Sequence, residues 1–190
     1  MTAVEAHKVE DTRAIKALIQ AFFDSINAAD TKSLKSHFLP AATLAIIRQD
    51  PPRPADPAAG EGDNGAAAGG DEKLTVVIRT TIEQFVKLLD DAERRRKGQP
   101  PGPVLHESPD LDATDIKFDA LFGNAWSPFR VTFDGVLHHY GTMVYTLAKT
   151  EPADAAAGAS GGRREWKIAG LTQNYRRTPG WPEAEHSGLS

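Results

Sequence analysis

The stretch Phe129-Arg130-Val131-Thr132-Phe133-Asp134-Gly135-Val136-Leu137-His138-His139-Tyr140 decides how this chain is read. Phe129, Val131 and Phe133 alternate with polar residues, the period of a strand with one buried face. Asp134-Gly135 follows, the dipeptide that best tolerates the positive φ angles of a two-residue hairpin turn. Val136 to Lys149 then reads as a long return strand. If the turn has two residues and the ladder is regular, Arg130 pairs with His139, Phe129 with Tyr140 and Trp126 with Met143. One face then carries Phe129, Val131, Phe133, Val136, His138, Tyr140 and Val144. The other carries Trp126, Arg130, Leu137, His139, Met143, Tyr145 and Leu147. A three-residue turn, or a bulge at Pro128, reverses this parity and sets His138 beside Arg130.

Outward from the hairpin, residues 11–27 read as a helix. Ile15, Leu18, Ile19, Phe22, Phe23 and Ile26 form one apolar stripe at helical spacing. Asn27-Ala28-Ala29-Asp30 breaks the pattern. A short helix opens at Thr31 and stops at Pro40, and 43–48 reads as a strand. Leu74 to Ile78 is a further short strand. Thr80-x-x-Glu83 resembles a capping box for a third helix, which ends in Arg94-Arg95-Arg96-Lys97, a solvated basic turn that complements the helix dipole. From Asp112 onward the pattern is β: Ile116 to Leu121, the hairpin, and Trp166 to Arg176. The expected architecture is α+β, three N-terminal helices over a curved antiparallel sheet. Both sheet faces carry large apolar side chains and the helices can cover one, so the other points to a homodimer through the sheet.

Two segments do not fit a core. In residues 51–71, fifteen of 21 are Pro, Gly or Ala, too little apolar surface to offset ordering entropy. Residues 151–162 are similar. Both read as insertions in loops of one domain spanning 8–177, followed by a flexible tail at 178–190. Trp181, in that tail, reads as part of a frayed end. Gly60-x-Gly62-x-x-Gly65 spells a dinucleotide fingerprint and Gly158-x-Ser160-x-Gly162 a nucleophile elbow. Neither has the strand–turn–helix context its chemistry needs.

Composition narrows the function classes. The 190-residue chain has a net charge of −4, which argues against a nucleic-acid or anionic-membrane binder. It has no cysteine, so disulfides, thiolate metal sites and cysteine nucleophiles are excluded. No apolar run is long enough to cross a membrane and the start lacks a signal-peptide pattern, so the expected location is cytoplasmic. His138-His139 reads as a poor metal pair, since neighbours on a regular strand face opposite ways, and no metal or cofactor is expected. His106 reads as a loop histidine in a Pro-rich connection.

The candidate site is the face with Trp126, Arg130, His139 and Tyr145. An imidazole and a guanidinium among aromatics suit a hydrophobic or aromatic small molecule. His139 is the candidate acid–base group and Arg130 the candidate stabiliser of negative charge. Trp126, Tyr145 and Asn174 are the candidate ligand contacts.

The order of elements resembles the nuclear-transport-factor-like, or SnoaL-like, superfamily of cone-shaped α+β rolls. Ile15 to Phe23 with Asn27-Ala28-Ala29-Asp30 looks like its opening helix and turn. Trp126-Ser127-Pro128-Phe129, Asp134-Gly135, His138-His139-Tyr140-Gly141 and Trp166-Lys167-Ile168-Ala169-Gly170 are similar to its lumazine-binding-like branch. The resemblance implies a pocket between sheet and helices, and members that are isomerases, dehydratases, cyclases or non-catalytic modules. It carries over no catalytic signature. The acidic pair of the isomerase is not evident on the strands, and the paired histidines of the dehydratase need two His on one face.

Overall fold

A computed structural model describes residues 3–50, 73–151 and 164–178. The two glycine motifs, Trp181 and almost all of the expected insertions and tail lie outside the described residues. The elements run α1 (Ala3–Asn27), α2 (Thr31–Ser36), β1 (Phe38–Asp50), β2 (Lys73–Thr81), α3 (Ile82–Arg96), β3 (Leu105–Pro109), β4 (Asp115–Asp119), β5 (Phe122–Phe133), β6 (Val136–Thr150) and β7 (Glu165–Arg177). The strands form one sheet in the order β2-β1-β7-β6-β5-β3, with β4 also pairing with β5. The sheet is α+β in its setting, as expected, but mixed: β1 runs parallel to β7 and every other pair is antiparallel.

Helix α1 lies across the inner face of the sheet. Its stripe reads as the sequence implies: Ile15, Ile19, Phe22 and Phe23 are buried. Phe22 meets Tyr145 edge-on at 6.0 Å and Phe23 lies 6.4 Å from Phe129. Each such side chain contributes roughly 2 kcal/mol by leaving water. Polar contacts also tie α1 at two points. In its first half, Asp11 accepts from Lys149 Nζ at 2.6 Å and from Trp166 Nε1 at 3.0 Å. At its end, the Asn27 side chain bonds the peptide of Glu107.

Several local readings shift by a residue or more. Asp30, not Thr31, caps α2 by accepting from Ser33 N–H at 3.0 Å. The capping box of α3 is Thr81 with Gln84, one residue beyond the expected pair. Pro40 does not end a helix but lies within β1. His106 sits in β3, not in a loop.

The hairpin carries the main correction. Asp134 (φ 49°) and Gly135 (φ 80°) do form a two-residue turn, and Phe133 pairs with Val136. The ladder then slips. Thr132 pairs with Leu137 but Val131 pairs with His139, leaving His138 as the extra residue of a β-bulge. Thr178 holds the bulge, its N–H donating to the His138 carbonyl at 2.9 Å and its hydroxyl lying within reach of the carbonyls of Leu137 and His138. Beyond the bulge Arg130 pairs with Tyr140 and Trp126 with Val144. The bulge is in the return strand, not at Pro128, and His138 does not come to lie opposite Arg130.

Candidate functional site

The slip divides the expected site between two faces. Tyr145 and His139 face inward, toward the helices: Tyr145 is fully buried, and His139 packs against Phe129 at 6.1 Å and Tyr175 at 4.6 Å. Trp126 and Arg130 face outward, and Trp126 is 56% exposed. Asn174 pairs with Thr142, which pairs with Pro128, so it too belongs to the outer row. Arg130 therefore does not converge with His139. Asn174 does not reach the inner face.

On the inner face, register arranges the side chains in rows. Glu107, Val131, His139 and Arg177 form one row across β3, β5, β6 and β7. Phe129, Gly141, Tyr175 and Arg48 form the next. Ser127, Met143, Gln173 and Ile46 follow, then Ala125, Tyr145, Leu171 and Leu44. The last row is sealed by the hydrophobic core, while the first two carry polar groups. The inner face thus grades from apolar to polar along its strands.

Glu107 is the residue that sequence reasoning missed. Burial pushes its carboxyl up to about 7. Its peptide group is bonded to Asn27. Among the described residues no donor bonds the carboxyl itself. The residue is half-buried and its carboxyl oxygens keep some contact with solvent; groups with raised carboxyl pKa values cluster at functional sites. The sequence signal is one of position: Leu105-His106-Glu107-Ser108 lies between Pro103 and Pro109, as a short edge strand can, without the alternation that marks a buried face.

His139 lies one strand beyond Val131 from Glu107, roughly 10 Å away at the spacing of two strands. Burial, followed by the neighbouring His138 and Arg177, lowers its pKa to about 4. It is a neutral ring at neutral pH. The Tyr145 phenol is held well above its ordinary range by burial and by the charge of Glu107. Among the described residues its hydroxyl donates to the Met143 sulfur alone, at 3.3 Å. At the edge of this region burial raises the Asp50 carboxyl, but hydrogen bonds from Arg48 and Thr75 and the charges of Arg48 and Arg177 leave it below its ordinary value.

The bulge overturns one further expectation. His138 and His139 are adjacent, yet their Nδ1 atoms lie 2.7 Å apart. A regular strand separates neighbouring side chains; the extra residue of the bulge lets both rings meet. One ring donates its Nδ1–H to the lone pair of the other. Among the described residues no cluster of three His, Asp or Glu side chains is placed to hold a metal ion.

The outer face has hollows of its own. One of about 760 Å³ is lined by Pro128, Arg130, Leu137 and Tyr140, with Asp110 and Asp112 on the adjoining loop, and it extends to Gln20 of α1 and to Phe129 and Gly141 of the inner rows. It is an open groove, and neither Glu107 nor His139 lines it. A smaller one, about 230 Å³, includes Trp126 and Val144.

No family model matches the chain, and no curated protein matches it. Solved structures do match. The chain is similar to a protein of unknown function from Mycobacterium tuberculosis (12% identity, TM-score 0.56, covering 94% of this chain and 77% of that one). It is similar to a protein assigned as the β subunit of an aromatic-ring-hydroxylating dioxygenase from Novosphingobium aromaticivorans (13%, 0.55, 90% and 92%). A third is an NTF2-like protein with a cystatin-like fold from the same organism (13%, 0.54, 99% and 94%). At these identities the likeness is one of fold: an NTF2-like cone of helices on a curved, mostly antiparallel sheet. No described helix is long and apolar enough to cross a membrane.

Proposed function

We propose that this chain is a small-molecule-binding domain that exchanges a proton with its ligand at the polar end of the inner face, without a cofactor. The observation that carries this reading is the half-buried Glu107 carboxyl, without a donor among the described residues and in one row of the inner face with His139. Near neutral pH a carboxyl with a pKa of about 7 is half protonated, so it both takes and gives a proton readily. With its Nδ1 committed to His138, neutral His139 offers Nε2 alone, as a donor when His138 donates between the two rings. Phe129 and Tyr175 supply aromatic walls. Glu107 takes a proton from a carbon or hydroxyl of the ligand and returns it elsewhere, with His139 Nε2–H hydrogen-bonding the oxygen on which charge develops. That sequence suits a lyase, isomerase or cyclase acting on a hydrophobic or aromatic molecule. The blocks around Trp126 and His138 support a place for the chain beside the lumazine-binding-like branch of the fold.

The test uses side-chain NMR of Glu107 and His139 with neutral aromatic fragments: 2-naphthol, indole and 4-hydroxyacetophenone. A fragment that shifts both resonances together supports the reading. Fragments that shift only Arg130 and Tyr140 would move the site to the outer groove. Absence of binding at millimolar concentration would leave the second reading.

That second reading is a non-catalytic module that assembles through the outer face. Trp126 and Tyr140 are 56% and 42% exposed there, and Val76 is 54% exposed. Arg130 lies near Asp110 and Asp112 in the groove, so the patch carries both charges, as a two-fold contact between copies needs. Light scattering on the wild type and Trp126→Asp tests it: a dimer that becomes a monomer is expected, and a wild-type monomer at high concentration would end it.

A further inference from the structure

Glu107 lies in β3, at the edge of the sheet, with β5 on one side only. An edge strand presents peptide groups that have no neighbour. At Glu107 they have one. Asn27 Nδ2 donates to the Glu107 carbonyl at 2.8 Å, and the Glu107 N–H donates to Asn27 Oδ1 at 2.7 Å. A side-chain carboxamide has the same donor and acceptor as a peptide group, so one Asn makes the paired bonds that a missing strand would make. We infer that Asn27 is a positioning residue, whose carboxamide takes the place of a neighbouring strand at Glu107 and so fixes the Glu107 carboxyl against the inner face.

The placement of Asn27 supports this. It is the last residue of α1, and Asp11 anchors the other part of the same helix to Lys149 and Trp166. The core contacts of Phe22 and Phe23 hold α1 over the sheet between those anchors. The helix therefore delivers the carboxamide to one fixed point on β3. Two bonds to the same residue set both the height of β3 and the direction of the Glu107 side chain. Without them the hydrogen bonds of the five-residue strand run to β5 alone, and more water reaches the carboxyl when the strand frays. Burial is what raises the Glu107 pKa, so fraying relieves that burial and the pKa falls.

This inference rests on the proton-handling reading of Glu107, and one experiment separates the two. Titration of the Glu107 side-chain ¹³C signal and exchange of its backbone amide are followed in the wild type, Asn27→Ala and Asn27→Gln. The expected result is a midpoint lowered by about one unit or more in Asn27→Ala, with amide protection reduced about ten-fold or more. Asn27→Gln, which keeps donor and acceptor, recovers most of both. A wild-type midpoint near 7 that Asn27→Ala leaves unchanged, with amide protection intact, overturns the positioning role. An ordinary carboxylate midpoint in the wild type overturns the proton-handling reading instead, and amide protection alone then judges Asn27. If Asn27→Ala does not fold, the wild-type Asn27 side-chain amide decides: one slowly exchanging proton supports the pairing, and two fast ones refute it.

Discussion

Glu107 and His139 lie in one row of the sheet's inner face, with Val131 alone between them. Burial moves their pKa values in opposite directions, to about 7 and about 4. The carboxyl thus becomes a weaker acid and the imidazole a weaker base, and both favour the uncharged form. Two ionisable groups so displaced, on one face and a strand apart, are the basis for the functional reading.

Glu107→Gln should stabilise the protein at alkaline pH. The folded state holds the Glu107 proton up to about 7, whereas the unfolded chain releases it near 4.5. The wild type therefore loses stability as pH rises from about 4.5 to about 7. Gln does not titrate, so the variant escapes that loss. Its advantage should grow by about 2 kcal/mol between pH 5 and pH 8. Urea denaturation of both proteins at the two pH values checks this.

His139→Gln should act at the opposite end. The folded imidazole stays neutral down to about 4, whereas the unfolded one takes its proton near 6.5. The wild type loses stability as pH falls from about 6.5 to about 4, and the variant lacks this contribution. Thermal melts across pH 4 to 7 should show the variant gaining stability relative to the wild type as pH falls. In the wild type the contributions of Glu107 and His139 oppose each other between about 4.5 and 6.5. Each single variant therefore exposes the slope left by the other group.

Gly141→Ala should be strongly destabilising. Gly141 faces Tyr175 across β6 and β7, and a Cβ there would collide with the carbonyl oxygen of Asn174 and the Cα of Tyr175. Both obstacles are backbone and cannot rotate away. A loss of about 2–4 kcal/mol is expected, in the range of severe overpacking. Equilibrium unfolding measures it. Gly102→Ala, at a position with open space, is the control and should be near neutral.

Much of the fold was legible because it rests on local patterns. The stripe from Ile15 to Ile26, the Asp134-Gly135 turn and the long strands after Asp112 follow from period and turn chemistry, and all are present. The candidate site depended on something not local. A single extra residue at His138 turns over every side chain beyond it, which parts Arg130 and Trp126 from His139. The turn determines register only as far as Leu137; the bulge is held by Thr178, forty residues away from its carbonyl partner at His138. Glu107 was hidden for a related reason. Its strand is short and bounded by prolines, and its burial comes from α1 and the sheet, both distant in sequence.

The pH titration of the Glu107 side-chain carboxyl carbon in the wild-type protein tests the central claim most directly. A midpoint near 7 is the predicted result, lost from the spectrum in Glu107→Gln. A midpoint near 4.5, the ordinary value for a solvated glutamate, would contradict the account.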